Sequence, residues 1–313
     1  MRKLLWIVMV AGATSYSAQN TTKMMKENIA PYRFASQTIK LKDGELSYMK
    51  EGSGKPTLIF LHGLSSNGDA WAKNIEDLKK NYTCIALDLP GYGRSYKEAQ
   101  EFTPSYFAEV VKEFAEKKKL KNFVLVGHSM GGQASIKFAE KYPEYVSKLI
   151  LVAPAGIEEF NEMESLTLKN FTTQAYVKNT TDEQIEKNYA INFFKMPEDG
   201  EKMIMDRKSI KNSVDFDAHA LAIEKSVKGM LDDKVIADIK NITQPVLLLF
   251  AENDMLIPNR FLHPTLTIQE VAKKAKSEFK NSQLIMIPES GHFLQYEKPK
   301  EVNQAILEFL KSK

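Results

Sequence analysis

Hydrophobic positions along the chain fall into short, nearly continuous runs separated by longer amphipathic stretches. Six runs show no alternation with polar residues, as expected of strands that are covered on both faces of a sheet. They span residues 58–61, 83–87, 123–126, 149–152, 246–250 and 284–287. Two earlier runs, 38–41 and 46–49, flank an Asp43-Gly44 turn and predict an antiparallel hairpin. With the helical stretches between them, these runs predict an α/β protein with a mainly parallel sheet flanked by helices.

One of the intervening helices is well defined by its own pattern. Four apolar residues recur at helical spacing along one face: Phe107, Val110, Val111 and Phe114. The preceding Thr103-Pro104 pair provides an N-cap and a first-turn proline. We therefore expect an amphipathic helix to begin near residue 104.

The alternation of strands and helices breaks down between residues 154 and 245. This interval carries helical patterns but no convincing strand, and a loop of that length is improbable in a compact domain. We predict an inserted helical lid at residues 158–238, which divides the α/β core into residues 30–157 and 239–313. The lid is rich in methionine and phenylalanine: Met163, Phe171, Phe193, Phe194, Met196, Met203, Met205, Phe216 and Met230. Most of these side chains are expected to form the lid's own small core, and a subset to line an apolar pocket.

Composition and charge narrow the classes of function. With 43% hydrophobic and 27% charged residues, the 313-residue chain has a globular composition and enough apolar material for a sizeable core. Lysine and arginine number 43 against 40 aspartates and glutamates, a formal net charge of only +3, without a dense basic block. A nucleic-acid partner is therefore not expected. The sequence gives no indication of the oligomeric state.

The N-terminal residues have the pattern of a cleaved signal peptide. Basic residues at positions 2 and 3 precede an apolar run over residues 4–13, and small residues follow up to Ala18. An apolar run of about ten residues is half of the roughly 20 needed to span a bilayer, so no stable membrane anchor is expected. Residues 1–18 are predicted to be removed, with cleavage after Ala18 or after Ser17, and the protein to be periplasmic or secreted.

Cysteine and histidine usage gives no sign of a disulfide or a metal site. The single cysteine, Cys84, lies in the predicted strand 83–87 and not in the leader. Neither an intramolecular disulfide nor a lipid-attachment cysteine is therefore expected. No Cys/His cluster has the spacing of metal ligands, and we expect no metal and no organic cofactor.

The clearest chemical motif is Gly127-His128-Ser129-Met130-Gly131, which follows one predicted strand and precedes a helical segment. This Gly-x-Ser-x-Gly pattern is typical of a sharp turn that holds a serine hydroxyl above the carboxyl end of a sheet. The turn forces the serine into a strained conformation, and flanking residues without a Cβ let neighbouring backbone pass close by. Ser129 is therefore the predicted nucleophile.

A serine hydroxyl needs a general base and an orienting acid to act as a nucleophile. In a sheet of this kind the order along the chain is serine, acid, histidine. His292 follows the last predicted strand and is the candidate base, and the acid should follow the strand before it. Asp254 meets this condition and Glu252 is its rival. Asp254 is favoured because it lies further beyond the end of the predicted strand than Glu252 does.

An acyl-transfer site also needs hydrogen-bond donors for the oxyanion. The loop after the first parallel strand, Leu61-His62-Gly63-Leu64, is expected to supply the backbone N–H of Leu64. The second donor would be the backbone N–H of Met130, the residue after the predicted nucleophile. His62 is interpreted as structural, holding this loop by a hydrogen bond.

The other histidines and one aspartate are weaker candidates. His128 is expected to pack beside the serine rather than to act as the base. His219, in the predicted lid, and His263, after the acid, favour surface or structural roles. Asp88 follows an earlier strand within a Pro-Gly turn and is interpreted as a carboxylate that braces its loop.

These motifs together resemble the α/β-hydrolase fold over nearly the whole chain beyond the leader. The resemblance rests on His62-Gly63, Asp88-x-Pro90-Gly91-x-Gly93-x-Ser95, Gly127-His128-Ser129-Met130-Gly131-Gly132, Asp254 and Gly291-His292, all in the family order. Residues 152–156 and the lid placement are similar to monoacylglycerol-lipase-like and carboxylesterase members, and to C–C hydrolases of ring-fission products. Haloalkane dehalogenases and epoxide hydrolases carry an aspartate in place of Ser129, so the resemblance argues against both. Residues 259–281 separate the acid from the last strand more widely than the common pattern.

The residues and the resemblance imply a serine hydrolase that cleaves carboxylic esters through an acyl-enzyme on Ser129. An apolar lid favours a small-molecule ester or lipid-like substrate, with monoacylglycerol-type esters among them. Three alternatives remain open: C–C, peptidase or lactonase cleavage on the same triad, a cofactor-free perhydrolase, and a non-catalytic binding protein on this scaffold.

Overall fold

Strands and helices alternate along residues 22–312, the part of the chain that the computed structural model describes. The predicted signal peptide, residues 1–18, lies outside it. The strands are β1 (Ser36–Lys40), β2 (Glu45–Glu51), β3 (Thr57–Leu61), β4 (Thr83–Leu87), β5 (Phe123–His128), β6 (Val146–Val152), β7 (Val246–Ala251) and β8 (Ser282–Ile287). The α-helices are α1 (Met25–Asn28), α2 (Ala72–Leu78), α3 (Pro104–Lys117), α4 (Met130–Lys141), α5 (Glu162–Phe171), α6 (Gln174–Asn179), α7 (Asp182–Ala190), α8 (Glu201–Ile210), α9 (Phe216–Asp232), α10 (Ile236–Ile239), α11 (Ile268–Glu278), α12 (Leu294–Glu297) and α13 (Pro299–Lys311). None of these helices is long and apolar enough to cross a membrane.

The strands of the described residues form one sheet in the order β1-β2-β4-β3-β5-β6-β7-β8. β1 and β2 form the predicted antiparallel hairpin, and β2 also pairs antiparallel with β4. The remaining neighbouring pairs are parallel. The predicted α/β class with a mainly parallel sheet is therefore confirmed. Parallel pairing brings the carboxyl ends of β3 and of β5 to β8 to one edge, where the loops with the candidate residues begin.

Burial explains why the strand runs lack polar alternation. Every residue of β5 and β7 is buried, and so are the last four residues of β3. Helices α4, α11 and α13 pack against these central and later strands. A strand that is covered on both faces gains from an apolar side chain at every position, about 25 cal/mol per Å² of apolar surface removed from water.

Helix α3 begins where its sequence pattern predicts. The side-chain oxygen of Thr103 accepts a hydrogen bond from the backbone N–H of Tyr106 at 3.0 Å, and Pro104 is the first helical residue. The predicted apolar face, which includes Phe107 and Phe114, is buried. Cap and apolar stripe therefore fix both the start and the orientation of this helix.

Helices α5 to α10 lie between β6 and β7, without a strand among them. We call residues 158–238, which contain α5 to α9 and all but the last residue of α10, the helical insertion. Helix α1 packs on α8 of this insertion. The N–H of Met25 donates to Asp215 Oδ1 at 2.7 Å, and the N–H of Ala30 donates to Asp206 Oδ1 at 2.8 Å. The sequence does not predict that the segment around α1 binds the helical insertion, because the two aspartates that accept these hydrogen bonds belong to no periodic pattern.

The stretch 259–281, which widens the spacing between the candidate acid and the last strand, contains helix α11. Thr267 caps it, and its buried face packs against β7 and β8. The additional residues therefore add an amphipathic helix to the sheet and leave the order of the candidate residues unchanged.

Candidate active site

Ser129 lies at the tight turn between β5 and α4. Its φ of 52° and ψ of −117° are unfavourable for a residue with a Cβ, a strain of about 1–3 kcal/mol. Neighbouring backbone holds the serine there. Its N–H donates to the carbonyl oxygen of Val152 at 3.0 Å, and its carbonyl oxygen accepts from the N–H groups of Gln133 and Ala155 at 3.1 Å. These bonds fix Ser129 at the carboxyl edge of the sheet and at the N-terminus of α4.

The glycines on either side of the motif are required by close approach of backbone. A Cβ on Gly131 would lie 2.5 Å from the carbonyl oxygen of Leu61, and one on Gly127 would lie 2.3 Å from the carbonyl oxygen of Gly131. Both distances are far below van der Waals contact. A larger residue at either position would therefore push α4 away from β3 or from the turn.

His292 and Asp254 lie side by side in the interior. His292 Nδ1 is 2.8 Å from Asp254 Oδ2, and the two residues are 4% and 0% exposed. The other carboxylate oxygen, Oδ1, accepts from the N–H groups of Leu256 and Ile257 at 2.8 and 3.0 Å. The carboxylate is thus fixed by its own loop and engages Nδ1, which leaves Nε2 of His292 as the nitrogen able to exchange a proton. The rival acid, Glu252, is exposed.

Ser129 and His292 line the same cavity. Among the described residues, no hydrogen bond joins the hydroxyl of Ser129 to the imidazole of His292. Catalytic hydrogen bonds in substrate-free enzymes are often long and tighten when substrate binds. The fold therefore brings serine, histidine and aspartate to one site, with the histidine–aspartate contact formed at hydrogen-bond distance.

The two predicted oxyanion donors are close to the serine. Met130 follows it directly as the first residue of α4, where a backbone N–H has no acceptor within the helix. Leu64 follows Gly63, and a Cβ built on Gly63 would lie 3.2 Å from Ser129 Cβ. Within residues 22–312, neither the N–H of Leu64 nor that of Met130 donates to a protein acceptor. Two unpaired donors beside a serine can stabilise a developing oxyanion.

His128 packs beside the serine, as its sequence position suggests, and contacts the loop of the candidate base. Its Nε2–H donates to the backbone carbonyl oxygen of His292 at 2.9 Å, and the two rings are 4.9 Å apart. Burial, and then the charge of His292, lower the pKa of His128 well below its usual value. His128 is therefore neutral and serves as a hydrogen-bond donor rather than as a base.

Asp88 braces its loop. Its Oδ1 accepts from the N–H of Gly68 at 2.7 Å, and its Oδ2 accepts from the N–H of Arg94 at 2.8 Å and from the hydroxyl of Tyr32 at 3.0 Å. These bonds occupy both oxygens of a buried carboxylate. The burial and the satisfied lone pairs agree with a structural role.

The remaining histidines have partners of their own. They are His62 with the backbone of Gly63 and Leu89, His219 with the carbonyl oxygen of Gly91, and His263 with the carboxylate of Glu158. In the described part of the chain, no group of three or more histidine, cysteine, aspartate or glutamate side chains is placed to hold a metal ion.

A cavity of about 580 Å³ lies between the carboxyl edge of the sheet and the helical insertion. Residues 63–65, Ser129 and His292 line it from the core. The insertion contributes a mainly apolar wall that includes Leu168, Val177, Ile185, Ile223, Val227 and Met230. A candidate nucleophile, a candidate base and unpaired N–H groups in a cavity of this size could transfer an acyl group of a small, largely apolar molecule.

The methionines and phenylalanines of the insertion do not form the core that we expected. Phe193 and Phe216 are buried and Met230 lines the cavity, but Met163, Phe171, Phe194 and Met205 each expose more than half of their surface. The expectation that most of them form a core of the lid is wrong, because composition counts apolar side chains without their direction and each short helix turns one face to solvent. The expectation that a subset lines an apolar pocket is confirmed for Met230. The cavity wall is built mainly from leucine, isoleucine and valine instead.

Sequence reasoning also missed two polar residues of the cavity wall, Tyr189 and Arg207. Neither belongs to a motif, and each lies in a helix of the insertion whose orientation only the fold determines.

A family model described as alpha/beta hydrolase fold matches residues 56–299. The chain belongs to this family. This α/β hydrolase is 27% identical to the uncharacterized hydrolase YugF of Bacillus subtilis, over 83% of this chain and 92% of that protein. It is 26% identical to 2-hydroxy-6-oxononadienedioate/2-hydroxy-6-oxononatrienedioate hydrolase 1 of Pseudomonas putida, over 88% and 96% of the two chains. The crystal structure of a probable hydrolytic enzyme from Pseudomonas aeruginosa matches with a TM-score of 0.83 at 19% identity, over 93% of this chain and 98% of the other. The resemblance inferred from the motifs is therefore confirmed at the level of the family and the fold.

Proposed function

We propose that this α/β hydrolase cleaves carboxylic esters through an acyl-enzyme on Ser129. The observation that carries the proposal is that Ser129 and His292 line one cavity and that Asp254 contacts His292. Ser129 lies on a strained turn, His292 lines the same cavity, and His292 Nδ1 is 2.8 Å from the buried Asp254. This is the arrangement that activates a serine hydroxyl.

In the proposed reaction, His292 takes the proton of Ser129 Oγ as that oxygen attacks the ester carbonyl carbon. The N–H groups of Leu64 and Met130 bind the oxyanion. Collapse of the intermediate breaks the bond to the alcohol oxygen, which receives the proton from His292. Water then attacks the acyl-enzyme with His292 again as the base, and the acid and free Ser129 are released. Asp254 orients the imidazole and stabilises its cationic form.

The cavity supports a small-molecule or lipid-like ester with a largely apolar acyl group. Its wall toward the helical insertion is mainly aliphatic, and we propose that the insertion acts as a lid over Ser129. The preferred acyl length would then report the depth of the cavity.

Hydrolysis of a C–C bond on the same residues is the second candidate. It is favoured by the similarity to the Pseudomonas putida hydrolase, which is named for hydroxy-oxo dioate substrates. Loss of absorbance of a 2-hydroxy-6-oxo-dienedioate, faster than turnover of any ester, would support it.

The test is hydrolysis of 4-nitrophenyl esters of increasing acyl length by protein lacking residues 1–18. We expect Ser129→Ala and His292→Ala to lower kcat by about 10⁴-fold or more. Ser165→Ala is the matched control, because Ser165 lines the same cavity away from the turn. It should stay within about threefold of wild type, since it removes no group of the proposed reaction.

Labelling by a fluorophosphonate separates the remaining outcomes. An inactive protein in which Ser129 is still labelled would have an active nucleophile and a different substrate class. A protein that neither turns over esters nor is labelled would contradict the proposal and favour a binding protein on this scaffold. Peroxide-dependent halogenation would identify a perhydrolase.

A further inference from the structure

Among the described residues, Arg207 is a buried cation without a hydrogen-bond or ion-pair partner, and it lines the same cavity as Ser129 and His292. It lies on α8 of the helical insertion and is 8% exposed. Within residues 22–312 its guanidinium forms no ion pair and donates no hydrogen bond to protein, and Nη1 is fully buried and unpaired. Buried charges in proteins are normally paired, because an unpaired charge loses its hydration without compensation.

The groups around Arg207 do not supply the missing partner. The adjacent carboxylate, Asp206, accepts from the N–H of Ala30 at 2.8 Å and from Lys202 Nζ at 3.0 Å. The guanidinium carbon lies 5.1 Å from the ring centre of Phe216, a contact that leaves the N–H groups at the edge of the guanidinium free. Burial lowers the pKa of Arg207, yet a guanidinium stays protonated in proteins. A positive charge with free donors therefore remains at the cavity wall.

Water alone does not balance this charge. Arg207 also lines a second, small cavity of about 40 Å³ together with His219, Asp69 and Asp206, and Lys202 Nζ donates to both of these carboxylates. This small cavity has room for water. Water there can accept hydrogen bonds from the guanidinium but cannot neutralise it. An anion in the main cavity would do both.

We propose that Arg207 binds a carboxylate of the substrate, so that the preferred ester carries an acid group at a distance from the bond that is cleaved. This inference rests on the proposed ester hydrolysis at Ser129. The two oxygens of a carboxylate match the fork of a guanidinium, and one negative charge balances one positive charge. A phosphate monoester would bring up to two negative charges. Among the described residues that line the cavity, Lys234 is the one other lysine or arginine, and it is exposed. The second negative charge of a phosphate would therefore have no buried cation beside it.

The test compares two series of 4-nitrophenyl esters with equal chain length. In one series the acyl chain ends in a carboxylate, from glutarate to suberate, and in the other it ends in a neutral carboxamide. At the best length we expect wild type to prefer the carboxylate by about 10- to 100-fold in kcat/KM, the range for hydrogen bonds to charged groups. Equal kcat/KM for the two series would overturn the inference.

Variants of Arg207 and Lys234 then test whether Arg207 causes the preference for the carboxylate ester. Arg207→Gln should abolish the preference for the carboxylate, because it lowers kcat/KM for the carboxylate ester by about 10- to 100-fold relative to the carboxamide ester. Lys234→Gln is the matched control and should keep the preference, because it removes an exposed cation at the same cavity. A preference that survives Arg207→Gln would refute the assignment. An ester with a terminal phosphonate that outperforms the carboxylate would also refute it, and would assign a phosphate-like group.

Failure of the ester chemistry can be told apart from failure of this inference. Calorimetric titration of Ser129→Ala with adipate measures binding without turnover, and Arg207→Gln in that background should abolish it. Adipate binding in a protein inactive on every ester would retain the inference and reject the proposed function. Turnover of neutral esters without any preference for a carboxylate would retain the proposed function and reject the inference about Arg207. If Arg207→Gln does not fold by circular dichroism, the wild-type ratio of the two series decides the matter.

Discussion

The imidazole of His128 donates from Nε2 to the backbone carbonyl oxygen of His292 across 2.9 Å. The residue before the candidate nucleophile therefore holds the loop of the candidate base. The turn at the end of β5 thus carries the proposed proton donor and, through His128, contacts the loop of the proposed base. A misplacement of about 1 Å in such a pair can cost about 100-fold in rate.

We therefore expect His128→Ala to lower kcat by about 10- to 100-fold with little change in KM, because the base is displaced while the cavity is retained. His128→Gln, whose amide can donate to the same carbonyl oxygen, should recover most of the rate. Steady-state kinetics on a 4-nitrophenyl ester measures both. Equal rates for the alanine and glutamine variants would show that the hydrogen bond does not position the base.

Asp254 and Asp88 are both buried and should separate into a chemical and a structural role. Asp254→Asn is expected to lower kcat by about 10⁴-fold, because the amide no longer stabilises the imidazolium. Asp88→Asn should lower the free energy of unfolding by about 1–3 kcal/mol, since its acceptors for the N–H of Gly68 and Arg94 are disturbed, and leave kcat within about tenfold. Rates and denaturant unfolding measured on both variants provide the check. A large loss of kcat in Glu252→Gln would instead indicate that Glu252, and not Asp254, is the acid that orients His292.

Gly131→Ala should destabilise the protein although alanine is the better helix former. Alanine gains about 1 kcal/mol in helix propensity over glycine, but its Cβ would lie 2.5 Å from the carbonyl oxygen of Leu61. Overpacking of this kind typically costs about 1–3 kcal/mol, and movement of α4 would also displace the N–H of Met130. We expect a lower Tm and a reduced kcat. Gly200→Ala is the matched control, because its Cβ would first meet the flexible side chain of Met196; a similar loss in both variants would contradict the prediction.

The contact between His263 and Glu158 should stabilise the protein mainly at acidic pH. His263 Nδ1 lies 2.5 Å from Glu158 Oε1. Burial alone would lower the pKa of His263, but the hydrogen bond to Glu158 and the charges of Glu158 and Glu164 outweigh it and raise the pKa. The folded state then holds the proton more tightly than the unfolded state. Its stabilisation is complete below about pH 6.5 and is lost as the pH rises through the folded-state pKa.

Accordingly, His263→Gln should lower Tm by about 2 °C more at pH 5.5 than at pH 8.5. Lys274→Gln, which removes a surface partner of Glu159, should change Tm equally at the two pH values, because lysine does not titrate between them. Thermal unfolding followed by circular dichroism measures both. A pH-independent effect of His263→Gln would exclude protonation as the source of the stabilisation.

The fold and most of the candidate site could be predicted from local patterns in the chain. Continuous apolar runs marked the buried strands, because a strand covered on both faces has no polar position. The spacing of glycines around Ser129 marked the strained turn, since only glycine permits the backbone approach seen at Gly127 and Gly131. The order of Ser129, Asp254 and His292 followed from the strands that precede them.

Tertiary structure alone decided how those residues meet and what surrounds them. The pairing of His128 with His292 joins positions 164 residues apart, and no local pattern encodes it. The same holds for the helical insertion, whose exposed phenylalanines and methionines were expected inside. Arg207 is the clearest case: in the sequence it is one charged residue on a helix. Only the assembled fold, in which α8 packs against α1 and α7, removes it from water and leaves its charge without an ion pair among the described residues. Periodicity determines which face of an element is buried, whereas the partner on that face is a property of the assembled fold.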